Sequence, residues 1–221
     1  EVPHIHVAGE GQPIPDDSDF YRALPRELWQ HSNDEAFRRN PLPSISGHAT
    51  ARALGRMYAL LAEGGELDGV RLCTTDDIAR MSALVTKDRD RVLGGRIPKA
   101  AGFMLGGPGA YGAMPPRVTA FGHAGAGGSI AFADPERHLS VAILVNNMGY
   151  WPAGKGPIQA LVDTLLADNL AIQNNVVAAA HRLARADRAQ IARSATKMLE
   201  DLRLGREAEA VPEPGELADL H

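Results

Sequence analysis

The sequence lacks several features that would point to a specialised class of protein. It has one cysteine, Cys73, so no disulfide can form within the chain and the redox compartment stays open. It has no run of about 18 apolar residues, so no transmembrane helix is predicted. Its net charge of −4 gives no electrostatic reason to expect binding to nucleic acid or to an anionic membrane.

The chain also lacks an initiator methionine and a signal-peptide pattern at Glu1. We therefore expect it to be part of a longer or processed protein, and its localisation stays open, with a slight preference for the cytoplasm. We expect no cofactor and no metal ion. His4 and His6 have a spacing that suits a metal on a strand, but no third ligand is nearby and a surface position is favoured.

What the chain does contain is the composition of a soluble globular protein. Its 221 residues are 44% hydrophobic and 23% charged. This length predicts one medium-sized domain, or slightly more, with a substantial core.

The most informative stretch runs from Arg117 to Met148. A short β-branched and aromatic run, Arg117–Phe121, is followed by the glycine-dense segment Gly122–Ser129. The apolar run Ile130–Ala133 follows, and together with the last glycine it predicts a strand over Gly128–Ala133. The run ends at Asp134-Pro135-Glu136-Arg137, which is a turn sequence. The continuous apolar run Leu139–Asn146 predicts a strand buried on both faces, so the two strands should form an antiparallel hairpin.

Three interpretations of the glycines are open. A nucleotide-binding loop would need a helix directly after the glycines, whereas Ser129–Ala133 has the pattern of a strand. The glycines could instead mark a bulge where two backbones pack closely. In the third interpretation, a strand edge without side chains lets a substrate carbonyl approach the backbone amides.

A second informative stretch precedes the first. In SGHATARALGRMYALLAEGGELDGVRL, residues 46–72, the apolar residues Leu54, Met57, Tyr58 and Leu61 have helical spacing and Gly64-Gly65 predicts the end of that helix. A short strand-like link over 69–72 and a second helix with Thr74 or Thr75 as its N-cap should follow. His48 is interpreted as a residue at the start of the helix, not as a catalyst.

Both stretches resemble the superfamily of serine β-lactamases, penicillin-binding proteins and family VIII carboxylesterases. His123-Ala124-Gly125 matches the Lys/His-x-Gly triplet of its third motif, in the histidine form common among esterase-like members. Residues 46–72 are similar to the superfamily's helix and its GG-x-x-x-G-x-x-L sequence, and the resemblance covers about residues 40–172.

The resemblance implies an α/β fold in which helices flank an antiparallel sheet. Its strands would be Ala101–Gly106, Arg117–Phe121, Gly128–Ala133 and Leu139–Asn146, covered by a helix over Pro157–Ala171. By the same resemblance, His123 would face the substrate, Gly125 would allow its close approach, and the backbone amide of Ala126 would supply half of an oxyanion hole. The chain would divide into residues 1–46, an irregular segment that ends the helical subdomain; 47–172, the β-lactamase-like region; and 173–221, a helical extension with an acidic tail.

The nucleophile that the resemblance requires is missing. The superfamily uses a Ser-x-x-Lys sequence at a helix N-terminus, where the lysine helps to deprotonate the serine. The match Ser194-Ala195-Thr196-Lys197 is short enough to arise by chance and lies on the wrong side of the third motif. We therefore expect this chain to be part of a serine hydrolase that acts on small esters or amides. A missing N-terminal segment or another chain would complete its active site. The alternative is a catalytically inactive module with a structural or assembly role.

Overall fold

The computed structural model describes residues 6–8, 15–149, 157–167 and 176–179. Its helices are α1 (Asp19–Ala23), α2 (Arg26–Gln30), α3 (Glu35–Arg39), α4 (Ala51–Ala62), α5 (Thr75–Met81) and α6 (Pro157–Ala167). Its strands are β1 (His6–Ala8), β2 (Glu66–Leu67), β3 (Val70–Arg71), β4 (Met104–Leu105), β5 (Phe121–Ala124), β6 (Ile130–Asp134), β7 (Leu139–Leu144), β8 (Asn147–Gly149) and β9 (Val176–Ala179). Single 3-10 turns, Ala126–Gly128 and Pro135–Arg137, lie at the two ends of β6.

A five-stranded sheet in the order β4-β5-β6-β7-β9 forms the centre of the fold. Strands β4 to β7 are antiparallel to their neighbours, and β9 pairs with β7 in parallel. The predicted antiparallel hairpin is confirmed as β6 and β7, with Asp134 opposite Leu139. The glycine-dense segment leads into a strand, as predicted, and the predicted α/β fold with helices flanking a mainly antiparallel sheet is confirmed.

Two predicted strands differ from the structure. The strand predicted at Arg117–Phe121 is wrong because Ala120 N–H donates to Arg117 O in a turn, and the strand starts only at Phe121. The strand predicted at Ala101–Gly106 is limited to β4, since Gly102 has a φ of 89° and turns the chain just before it.

Helices cover both faces of the sheet. Helix α6 packs its apolar stripe, including Leu161 and Val162, against a core that contains Phe132 and Val141. Helix α4 covers the other face and contacts β6, β7 and β9. The helix predicted over Pro157–Ala171 is confirmed as far as Ala167, and residues 168–171 lie outside the described part of the chain.

Small residues line the contact between α4 and the sheet. Helix α4 buries Ala51, Gly55, Ala59 and Ala62 at a spacing of three to four residues, which places them on one helix face. The sheet residues that they meet are also small: Ala131, Ala133, Ser140 and Ala142 are all buried. The hydroxyl of Ser140 donates to the carbonyl oxygen of Gly55 at 3.0 Å, so helix and sheet lie close enough for a direct hydrogen bond.

The helix ends follow the sequence signals. Thr50 caps α4 by accepting from Ala53 N–H, and Gly64 and Gly65, with φ of 80° and 94°, end it. Thr74 caps α5 in a capping box, in which its hydroxyl accepts from Asp77 N–H and the Asp77 carboxylate accepts from Thr74 N–H. The hydrogen bond from the Thr74 hydroxyl is the largest of the causes that lower the pKa of Asp77 to about 2.

Near the two ends of the chain, residues 1–5, 9–14, 168–175 and 180–221 lie outside the described part of the structure. The segment 1–46, predicted to be irregular, contains α1, α2 and α3 together with β1, which pairs in parallel with β8. The helix predicted across residues 175–205 is wrong for Val176–Ala179, because this run, with its two β-branched valines, forms strand β9 instead. The division at residues 46 and 172 stays a prediction. Within the described ranges, no helix is both long enough and apolar enough to span a membrane.

Candidate active site

Strand β5 presents His123 at a part of the sheet edge that β4 does not cover. Strand β4 pairs with β5 only at Phe121 and Gly122, whereas β6 pairs with all four residues of β5. In the described part of the chain, His123 and Ala124 therefore have a neighbouring strand on one side only. Backbone groups on an uncovered edge are available to an extended ligand.

The side chain of His123 is exposed on the α4 face of the sheet. Successive residues of a strand point to opposite faces, so His123 points to the same side as Phe121. Phe121 is buried against Phe103, with ring centroids 5.0 Å apart, but His123 lies beyond this cluster and is exposed. Its Nδ1 atom lies 2.8 Å from the carbonyl oxygen of Ala124.

Gly122 shows why part of this segment has to be glycine. A Cβ atom at Gly122 would lie 2.1 Å from the carbonyl oxygen of Ala131 and 2.5 Å from Phe132 Cα. Any side chain would therefore push β5 away from β6. This is the close backbone packing that one interpretation of the glycines predicted.

A backbone hydrogen bond, close packing and one side-chain hydrogen bond hold the turn after β5. Gly125 N–H donates to the carbonyl oxygen of Ser129 at 2.7 Å, which closes the turn. Gly127 has a φ of 79°, and a Cβ atom there would lie 2.4 Å from Met148 Cβ. The Ser129 hydroxyl accepts from Val145 N–H at 3.1 Å and ties the turn to the residue that follows β7.

This turn leaves a backbone donor at its beginning. The amide of Gly125 is used within the turn, whereas Ala126 is the first residue of the 3-10 helix. Among the described residues the amide of Ala126 has no hydrogen-bond acceptor, and a backbone N–H without a partner can donate to a ligand oxygen. The three predicted site residues, His123, Gly125 and Ala126, thus lie on an exposed strand end and the turn directly after it.

Among the described residues, no serine of a Ser-x-x-Lys sequence lies beside this turn. No Ser-x-x-Lys sequence occurs within the described ranges, and Ser194 and Lys197 lie outside them. His48, at the start of α4, places its Nδ1 atom 2.8 Å from Ser46 O and is exposed, consistent with the structural interpretation. The described residues also contain no cluster of three His, Cys, Asp or Glu side chains that could hold a metal ion.

An open cavity of about 490 Å³ lies at the opposite end of β5 from His123. Its walls are mainly apolar and come from the end of α4, from α5 and from the residues leading into β5, with Leu61, Ile78 and Phe121 among them. His138 and Glu63 also line it, with His138 Nδ1 3.1 Å from Glu63 Oε2. Since His123 does not line this cavity, we assign the candidate chemistry to the glycine turn.

A buried ion pair that the sequence did not reveal fixes the start of β5. Asp134 is fully buried, and its carboxylate accepts from Arg117 Nε at 2.5 Å and from the Thr119 hydroxyl at 2.7 Å. The partners are 17 and 15 residues away in sequence, so no local pattern predicts the pairing. Arg117 and Thr119 thereby form part of the turn that sets where β5 begins.

Burial perturbs two tyrosines beside the sheet. Desolvation raises the pKa of Tyr58, on α4, to about 12. Desolvation, and to a lesser extent the charge of Asp90, raises the pKa of Tyr111, which packs with Ala124 against the core on the α6 side. Both phenols are therefore held in the neutral form.

Comparison with known proteins decides the family. A family model described as Beta-lactamase matches residues 6–164. The chain belongs to the beta-lactamase family. The resemblance inferred from His123-Ala124-Gly125 and from residues 46–72 is thereby confirmed.

Individual relatives match this chain over part of its length. The Esterase/beta-lactamase LipL of Mycobacterium tuberculosis is 38% identical over 110 residues, which are 48% of this chain and 24% of LipL. The crystal structure of a novel penicillin-binding protein homolog from Caulobacter crescentus is 36% identical, with a TM-score of 0.56, and the match covers 67% of this chain and 40% of that one. A family VIII carboxylesterase structure is also 36% identical and matches 40% of this chain and 23% of its own, with a TM-score of 0.37. The chain thus spans less than half the length of each of these relatives.

Proposed function

We propose that this chain forms the sheet side of the active site of a serine hydrolase that acts on small esters or amides. The nucleophile, a serine in a Ser-x-x-Lys sequence, comes from an N-terminal segment or from another chain, neither of which is part of these 221 residues. Membership of the beta-lactamase family and the 38% identity to LipL, a protein named as an esterase and β-lactamase, support this proposal.

One structural observation carries the proposal. Among the described residues, no strand pairs with His123 and Ala124 on the β4 side of β5, and the amide of Ala126 lies in the turn that follows. An ester or amide carbonyl needs both a free edge to lie along and backbone donors aimed at its oxygen. In this proposal, the edge at His123 and Ala124 and the amide of Ala126 supply the two.

The proposed chemistry is acyl transfer. The serine oxygen attacks the carbonyl carbon while the neighbouring lysine takes the proton of the hydroxyl, and the carbonyl oxygen becomes an oxyanion. The amide of Ala126 donates to this oxyanion, and the amide of the serine itself is the second donor. Gly125 has no side chain to obstruct the approach, and His123 contacts the substrate beside the reacting carbonyl. Expulsion of the alcohol or amine leaves an acyl-enzyme that water hydrolyses.

A fluorophosphonate probe, which labels activated serines, tests this proposal. The isolated chain should remain unlabelled, Ser194 included, and the S194A variant serves as the matched control. Co-production with the N-terminal part of the longer protein should restore labelling, on a Ser-x-x-Lys serine outside this sequence. Stoichiometric labelling of Ser194 in the isolated chain would contradict the proposal. A completed protein that stays unlabelled would favour the alternative, an inactive assembly module.

The H123A variant tests the role given to the strand. In the completed enzyme, we expect it to lower kcat/KM for a short-chain ester by about tenfold or more, as the loss of an interaction beside the oxyanion does. Unchanged turnover would mean that His123 is structural.

A further inference from the structure

The cavity at the start of β5 has the size and the lining of a small-molecule site. Its volume of about 490 Å³ lies within the range of roughly 300–1,000 Å³ that is usual for ligand pockets. Leu61 of α4, Ile78 of α5 and Phe121 of β5 form part of its apolar wall. Val118, which also lines the cavity, is 78% exposed, so a ligand that covers it gains apolar contact.

The polar residues around this cavity carry an excess of negative charge. Glu63 and Glu136 line it, and among the described residues no lysine or arginine does. Arg117 lies 3.4 Å from Glu136, but it also pairs with the buried Asp134, so one arginine serves two carboxylates. The third titratable residue of the lining is His138. The cavity therefore favours a cation over an anion.

Glu63 is the carboxylate best placed to meet a cation. It directly follows the last residue of α4, and the carbonyl end of a helix carries a partial negative charge. Its side chain is 33% exposed, and its Oε2 atom lies 3.1 Å from His138 Nδ1. Among the described residues its Oε1 atom has no hydrogen-bond partner, so this oxygen is available to accept from an ammonium group.

We propose that this cavity binds a small organic cation, namely a primary amine with an apolar alkyl chain. The alkyl chain covers Val118 and packs against Ile78 and Phe121, while the ammonium group donates to Glu63. A carboxylate in the same place would bring a second negative charge against Glu63, and an alcohol would gain little beyond the apolar contact. The cavity lies at the opposite end of β5 from the glycine turn, and binding there does not depend on the proposed hydrolase activity.

Three probes with alkyl chains of equal length test the charge selection on the 221-residue chain. They are octylamine, octanol and octanoate, used at about pH 7.5, where the amine is protonated. We expect octylamine to bind about fivefold more tightly than octanol, as one partly exposed ion pair allows, and octanoate to bind most weakly. Salt at about 0.5 M should reduce the difference between amine and alcohol. Equal affinities for the three probes, or no saturable binding of octylamine, would overturn the proposal.

Methyl NMR of the isoleucine-labelled chain locates the bound amine. The Ile78 signal, identified by its loss in I78V, should shift saturably, whereas that of Ile130, which belongs to the core on the α6 side, should not. The A79F variant should abolish binding, because Ala79 lines the cavity but is exposed, so a phenyl ring there occupies the cavity without disturbing the core. A53F is its matched control, since Ala53 is exposed on α4 outside the cavity. Unchanged binding in A79F would place the amine elsewhere and refute the site.

The E63Q variant tests the contact that selects the charge. It should lower the affinity for octylamine to that for octanol and leave the affinity for octanol unchanged. E66Q is the matched control, because Glu66 pairs with Arg71 on the β2–β3 hairpin and does not line the cavity. If E63Q and the native chain bind octylamine equally, Glu63 is not the partner and the proposal is wrong.

The completed protein separates this inference from the proposed function. It should bind octylamine as the 221-residue chain does, and loss of binding there would mean that the completing segment covers the cavity, which contradicts the proposal. If the completed protein binds the amine but hydrolyses no ester, only the hydrolase proposal fails.

Discussion

The two turns at the ends of β6 are built in opposite ways. The Asp134–His138 turn is held mainly by side chains, since the buried Asp134 carboxylate binds Arg117 and Thr119, and His138 contacts Glu63, the residue directly after α4. The Gly125–Ser129 turn is held mainly through its backbone, by a hydrogen bond within the turn, by close packing against Met148 and by the hydrogen bond from Val145 N–H to the Ser129 hydroxyl. The first turn uses its polar groups for stability, whereas the second carries the residues to which we assign the proposed site, His123 and Ala126.

The largest effect should come from removing the buried charge of the first turn. D134N leaves Arg117 without its buried counter-ion, and we expect the free energy of unfolding to fall by about 3 kcal/mol in urea titrations. E136Q is the matched control, because Glu136 contacts the same arginine from the surface at 3.4 Å and should contribute about 0.5 kcal/mol or less. If D134N and E136Q lower the free energy of unfolding equally, the buried carboxylate of Asp134 does not hold the first turn.

The glycine turn should be broken by a single methyl group. G127A combines a positive φ with a Cβ contact of 2.4 Å to Met148, and we expect a loss of about 2 kcal/mol. G109A also has a positive φ, 73°, but open space around it, so it should lose about 1 kcal/mol. G47A has neither problem and should change stability by about 0.5 kcal/mol or less. If all three variants unfold alike, contact with Met148 does not hold the turn.

Alkaline pH should lower the stability that the aromatic contacts at the start of β5 provide. Tyr58 packs on Phe103, with ring centroids 6.4 Å apart, and burial raises its pKa from 10.0 to about 12. Because the unfolded chain ionises first, this contribution is intact below pH 10, decreases as pH rises, and is lost fully only above pH 12. We expect the native chain to lose about 1.4 kcal/mol more than Y58F between pH 8 and pH 11. Parallel stability profiles of the two proteins would show that Tyr58 ionises freely.

The smallest effect should come from His138, which ends the first turn with a φ of 49°. H138G should stabilise the chain or leave it within about 1 kcal/mol, because glycine adopts this conformation without strain. H138A keeps the strain and loses the contact with Glu63, so it should be less stable than H138G. Thermal unfolding compares the two, and a more stable H138A would contradict the strain at this position.

Local signals in the sequence were enough to predict the elements whose ends depend on neighbouring residues. The hairpin turn at Asp134-Pro135 and the cap at Thr74 are both confirmed. The start of β5 could not be predicted, because it depends on the distant pairing of Arg117 with Asp134. Likewise, strand β9 depends on the exposed edge of β7, which a helical pattern in the sequence does not show. The motif identified His123, whereas the end of its pairing with β4 at Gly122 could be read only from the structure.

The contact between α4 and the sheet has a mechanical consequence. Where Gly55 and Ala59 of the helix face Ser140 and Ala142 of the sheet, the side chains are already small, so truncation can create almost no cavity there. Enlargement is different: an added methyl group cannot be absorbed by a flexible neighbour and must lift the whole helix. The contact therefore tolerates smaller side chains but not larger ones, and a larger side chain would displace α4 as a unit relative to β6 and β7. Through β6, such a displacement would reach both turns together.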